Sequence, residues 1–253
     1  MPARLLSTLV IILIAVAVIT PAHSTLLTGG VQHADHLEPV KNALAPGKEF
    51  DKRNLPAMTD PLDANRWYQV PPWLAGRWHK ENQTDFYRYD FRTNESDTTT
   101  RVQPASSDGV WGTQQDPTGQ IWQFDPAPFV TTVDAGNDTV VQIVSLSQPI
   151  LDTPQSFVRR SIDTQIRVDK TTNLIHTVEC GEQITTYLQE ESGLIKRETS
   201  AKVFDRFGQP LVLGKSFSYE KKIGPFVAEN FYEGKNMREM LKKYLDKQDK
   251  LRD

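Results

Sequence analysis

The sequence predicts an all-β fold: an antiparallel up-and-down barrel with an extended N-terminal arm and a C-terminal amphipathic helix. Three observations predict it. From about Arg77 to Lys221, apolar and polar residues alternate with period two, and turn residues interrupt them at short intervals. Cys180 is the only cysteine in 253 residues, so no intrachain disulfide substitutes for a core. The tail then changes to three-and-four spacing.

Residues 1–24 read as a signal peptide. Arg4 is basic, Leu5 to Thr20 is apolar apart from Ser7 and Thr8, and Ala22 and Ser24 are the small residues that place the cut after Ser24. The apolar run is shorter than the roughly 18–20 residues that a span requires. An exported protein is expected, in a periplasm or thylakoid-like lumen, where a chain without disulfides fits best, or outside the cell. Residues 25–70 are weakly patterned and hold Pro39, Pro46, Pro56 and Pro61, which predicts an extended arm with one helical turn around Leu37 to Leu44. Pro71-Pro72 then feeds an extended chain into Trp73.

The barrel is expected over 71–223. Asn94-Glu95, Asp108-Gly109, Pro117-Thr118-Gly119, Gly136-Asn137-Asp138, Lys170 to Asn173, Glu191-Ser192-Gly193 and Phe207 to Pro210 divide it into nine or ten strands. A meander of that size closes on itself because closure removes its exposed edges. In the last segment, 224–253, Met237, Met240, Leu241, Tyr244, Leu245, Gln248 and Leu251 share one helical stripe. Asn236 and Glu239 form a capping box. The Lys and Arg of its polar face read as a solvated face, with a peripheral membrane or a protein partner as the functional counterpart.

Several function classes find no support. The net charge of −3 argues against nucleic acid as a partner. There is no Gly-x-Ser-x-Gly, no phosphate-cradling loop and no His-Glu-x-x-His, and the carboxylates are scattered. No catalytic residue and no cofactor is therefore assigned. His33 and His36, beside Asp35 and Glu38, lack a distant third ligand and read as surface histidines, so no metal is assigned either. His176 and Cys180 fall on one strand face about 13 Å apart, too far for a thiolate–imidazole pair. Three sequons, at Asn82, Asn94 and Asn137, would be glycan acceptors in a eukaryotic secretory route.

Gly76-Arg77-Trp78 opens the first long strand, a short-turn meander follows, and a helix ends the chain. That order resembles the calycin superfamily of lipocalins, fatty-acid-binding proteins and avidins. The resemblance implies that Trp78 plugs one end of the barrel, with Gly76 letting the backbone pass close by, and that a late-strand Arg stacks on the indole. It also implies a cavity for a small apolar or amphipathic molecule. Two features depart from typical lipocalins: the paired cysteines are missing, and the long arm leaves open whether it covers the mouth or an outer face.

Strand parity sorts the residues that would line such a lumen. The even positions of 158–168 and 174–188 and the odd positions of 195–203 and 211–219 form the inward sets, joined by Tyr87 and Tyr89. Arg160, His176, Arg197 and Lys215 fall among them. A guanidinium amid aliphatic walls suits the carboxylate of an anionic lipid or pigment, so these six residues are the candidate ligand-binding set. The competing assignment spends Arg160 or Arg197 on Trp78 and pairs the other with Glu182, and a bulge would turn any of these charges outward. The expected function is an exported lipocalin-like protein that binds a small amphipathic ligand. The alternative is a non-enzymatic assembly module that docks a protein partner through its outer wall and C-terminal helix. A barrel enzyme acting on an isoprenoid or pigment stands third.

Overall fold

The computed structural model describes residues 32–55 and 67–250. Residues 1–24, for which a signal peptide is expected, and parts of the arm lie outside the described residues. The chain from His33 onward forms one compact unit. Its strands are β1 (Trp67–Val70), β2 (Gly76–Asp90), β3 (Glu95–Asp97), β4 (Arg101–Trp111), β5 (Gln114–Gln115), β6 (Ile121–Phe124), β7 (Phe129–Ala135), β8 (Asp138–Asp152), β9 (Ser156–Asp169), β10 (Ile175–Glu191), β11 (Leu194–Asp205), β12 (Pro210–Gly224), β13 (Phe231–Tyr232) and β14 (Lys235–Asn236), followed by helix α1 (Met237–Asp249).

Nine strands make one antiparallel sheet in the order β3-β2-β12-β11-β10-β9-β8-β7, with β4 on the same outer side of β2 as β3. β1, β6 and β5 form a second, three-stranded sheet. The fold is therefore all-β with antiparallel sheets and one C-terminal helix. Among the described residues the large sheet is open: β7 ends it on one side and β3 and β4 end it on the other, and these ends do not pair. The expected closure into a barrel, with Gly76 and Trp78 at its end, is not found among the described residues. The edges are blunted locally instead, by Pro104 within β4 and by the Arg101–Asp97 pair beside it.

Hairpin turns account for the meander. Asn94, Asn173 and Gly193 take positive φ (59°, 58° and 82°) at three of the predicted turns. Asp108-Gly109 behaves differently and lies inside β4, where Gly109 stands opposite the large Trp78 in the ladder.

Each face of the large sheet is covered, by different parts of the chain. On one face Trp78, Trp111, Phe157, Tyr187 and Ile195 pack with Val70, Leu74 and Ile121. Trp78 is 1% exposed, donates its indole N–H to the Leu74 carbonyl at 2.7 Å, and lies under the Lys222 ammonium, 5.3 Å from the ring centroid. Lys222, and neither expected arginine, takes the place over the ring. Gly76 is needed here: at φ +131° a Cβ would come within 2.7 Å of the Gly224 carbonyl oxygen. Behind the small sheet, Met237, Met240 and Leu241 of α1 pack on Trp67, Trp122 and Phe124. The Asn236 side chain caps the helix by accepting from the Glu239 N–H at 3.1 Å, as the sequence predicts.

The opposite face of β8–β10 carries the arm. Leu44, with Val40, Phe50 and Leu55, packs on Val141, Ile143, Ile166, Val168, Ile175 and Val178. Among the described residues the arm contains single 3-10 turns at Asn42–Leu44, at the end of the span where one helical turn is expected, and at Lys52–Asn54. The question left open by the sequence thus has an answer: residues 33–55 lie across a sheet face.

Candidate functional site

The arm is fastened at a buried carboxylate. Glu182, near the middle of β10, has a side chain 0% exposed. Its Oε2 accepts from His33 Nδ1 at 2.9 Å and from the Ala34 N–H at 2.7 Å, and Arg160 Nη2 contacts Oε1. Lys202, opposite Glu182 in the ladder, donates to the Ala34 carbonyl at 2.8 Å, and the second nitrogen of His33 bonds Ser200 Oγ at 2.8 Å. Burial alone would raise the Glu182 carboxyl. The hydrogen bonds from His33 and Ala34, with the Arg160 charge, outweigh burial and hold it below the ordinary carboxylate range. Further along, the arm passes Gly208 so closely that a Cβ there would sit 1.8 Å from the Leu37 carbonyl oxygen.

Beside this fastening, arm and sheet leave a cleft of about 350 Å³. Leu37, Val40 and Leu44 form its arm side, and Ile143, Ile162 and Cys180 its sheet side. Glu38, Lys41, Asn54, Ser145 and Thr164 add polar groups. Burial pushes the Cys180 thiol up, with a weak 3.7 Å contact to Thr164 Oγ1 acting against it, so the sulfur is a small core group rather than a nucleophile. The volume lies at the lower end of the roughly 300–1,000 Å³ usual for small-molecule sites.

No family model, no curated protein and no solved structure matches this chain. The site rests on its own geometry.

None of the six residues singled out in the sequence lines the arm cleft. Arg160 lies on the arm face but is paired with Glu182. His176 occupies a bulge between Ile175 and Thr177 that turns it outward, 3.1 Å from Asp138 Oδ1 and 3.8 Å from Asp169 Oδ2. Arg197 is on the other face. The ladder places it opposite Tyr187, with its guanidinium 5.8 Å from that ring and 3.6 Å from Glu220. The inward sets deduced from parity therefore do not share one lumen. Lys215 lies 5.4 Å over Tyr87, and both border a second cleft of about 350 Å³ between β2, β4 and β12. Polar side chains of that cleft are joined to one another, Arg101 to Asp97 and Gln103 to Asp85, both at 2.7 Å. Tyr89 donates to Asn94 Oδ1 at 3.0 Å in the adjoining turn.

The residues missed were those of the arm. Leu37, Val40 and Leu44 are isolated apolar residues in a stretch that is mostly neither strand nor helix, so neither period marks its buried side.

Proposed function

We propose that this chain is an exported binding protein that holds a small amphipathic molecule between its N-terminal arm and the sheet. The observation that carries the proposal is the cleft of about 350 Å³ walled by Leu37, Val40, Leu44, Ile143 and Ile162. Apolar walls take a hydrocarbon or ring system, and the Lys41 ammonium at the same cleft suits an anionic headgroup. The arm acts as a strap, since the His33–Glu182 bond ties it down at one end and the packing of Phe50 and Leu55 holds the other. In this reading the calycin resemblance is one of use, a β-meander presenting an apolar recess, with the signal-peptide-like N-terminus delivering it outside the cytoplasm.

Native mass spectrometry of protein expressed in a lipid- and pigment-replete host tests the reading. A co-purifying amphipathic molecule is expected, and Ile162→Trp, which fills the cleft, should remove it while leaving the fold intact. Lys41→Glu should weaken retention of an anionic ligand by about tenfold, the worth of one charge-assisted contact. A bare wild-type protein that also fails to bind palmitate or retinoate in titration would overturn the proposal. So would equal occupancy in wild type and Ile162→Trp.

A further inference from the structure

The ladder between β2 and β12 is interrupted. Phe217 pairs with Thr84, and pairing resumes only at Lys221 with His79. Ser218, Tyr219 and Glu220 keep their partners on β11 but have none across this pair. A cleft of about 220 Å³ lies where the ladder is missing, lined by His79, Glu81, Asn82, Phe217, Tyr219 and Lys221 among others. Two aromatic residues, Phe217 and Tyr219, line it, and a third, Phe86, lies just outside it. Tyr219 is 50% exposed and meets Phe217 edge-on at 5.9 Å, and Phe86, 37% exposed, lies 6.1 Å beyond Phe217.

Exposed aromatic residues that adjoin one another beside a recess are the kind of apolar patch that marks a ligand-binding groove. From this juxtaposition we infer that the β2–β12 cleft is a carbohydrate-binding site for a neutral oligosaccharide. A pyranose has an apolar C–H face and a rim of hydroxyls that both donate and accept. The ring faces of Tyr219 and Phe86 suit the first. The Asn82 amide, the Thr84 hydroxyl and the Glu81 carboxylate, from residues bordering the cleft, suit the second. A lipid tail would strand those polar groups without partners. The charges around the rings are mixed: Lys196, 5.4 Å over Phe217, is paired with Glu198 at 2.7 Å, and Lys221 shares the cleft with Glu81. The site therefore does not select for a polyanion. Its volume, below the roughly 300 Å³ of a drug-sized pocket, matches one ring unit of a chain running along these aromatic residues. This site is separate from the arm cleft, with which it shares no lining residue.

The test is calorimetric or NMR titration of the whole mature chain, made in bacteria so that Asn82 is bare. The probes are cellohexaose, chitohexaose and maltohexaose. Saturable binding of at least one is expected, with amide shifts centred on residues 79–86 and 217–221. Tyr219→Ala and Phe86→Ala, both exposed and harmless to the core, should each weaken it by about tenfold, the scale of one aromatic contact. Phe207→Ala, an exposed aromatic outside the cleft, should leave it unchanged. Absence of binding by all three at millimolar concentration would overturn the inference. So would binding that Tyr219→Ala and Phe86→Ala leave intact, or shifts centred elsewhere. Ligand occupancy of the arm cleft, read separately by native mass spectrometry, has no bearing on these outcomes.

Discussion

Replacing Glu182 by Ala is the sharpest test of how the arm is held. The carboxylate is fully buried and takes hydrogen bonds from His33 and from the Ala34 N–H, besides the Arg160 contact. Removing it leaves two part-buried donors and one guanidinium without an acceptor. Arg160 is 29% exposed and recovers much of its loss from water, so the full cost of breaking a buried ion pair does not apply. The two remaining donors then set the scale, and about 2–3 kcal/mol of destabilisation is expected. For a unit of this size that lowers Tm by about 5–10 °C. Urea unfolding followed by tryptophan fluorescence measures the energy, and amide hydrogen exchange at residues 34–40 measures the local effect. Exchange there should accelerate far more than in β9–β11.

The pH dependence has a definite sign. A folded-state pKa held below the unfolded value gives stability that is present above the unfolded pKa, about 4.3 for Glu, and lost as pH falls through the lower folded value. Arm protection in the wild type should therefore fall below about pH 4, while Glu182→Ala shows no such step. A variant that unfolds within about 0.5 kcal/mol of wild type, with unchanged exchange at residues 34–40, would refute the account of the fastening.

Three other outcomes follow from the same contacts. Gly208→Ala places a Cβ 1.8 Å from the Leu37 carbonyl oxygen at a φ of +79°, and should cost about 2 kcal/mol or more in urea unfolding, with the arm loosened first. Phe157→Ala empties a 0% exposed position between Trp111 and Tyr187, and should cost about 3–5 kcal/mol and flatten the near-UV circular dichroism of the tryptophan cluster. Asn236→Ala removes the cap of α1 and should cost about 1 kcal/mol by thermal denaturation, with little change elsewhere.

What the sequence made legible was whatever depends on neighbours along the chain. Period two located the strands, and the helix cap and the turns at Asn94, Asn173 and Gly193 followed from local chemistry. Parity even held across β9 and β10, where Ile166, Arg160, Val178, Glu182 and Ile184 share one face. It failed at two identifiable points. At His176 the bulge inserts one residue, so that Ile175 turns into the core and the imidazole turns out. In β11 both faces are apolar in part, with Ile195 on one and Phe204 on the other, each 0% exposed. A strand buried on both sides has no privileged parity, and hydrophobicity then cannot choose its register. The hairpin turn at 191–193 and the bulge just before it choose instead, and they set Arg197 opposite Tyr187 and Lys202 opposite Glu182.

The same reasoning explains why the large sheet stays open although exposed edges favour closure. Closure is driven by an apolar lumen with nothing else to cover it. Here one face of β8–β10 is covered by Val40, Leu44, Phe50 and Leu55, and the tryptophan face is covered by Val70, Leu74 and Ile121 from the small-sheet layer. Each covering segment satisfies the demand that pairing the distant edges would otherwise meet. The arm thus replaces the lumen with a cleft, and it does so through contacts as distant in sequence as His33 and Glu182, 149 positions apart. Such a contact leaves no periodic trace in either segment. A buried acidic residue on an apolar strand face was the one visible sign that some other part of the chain had to come and meet it.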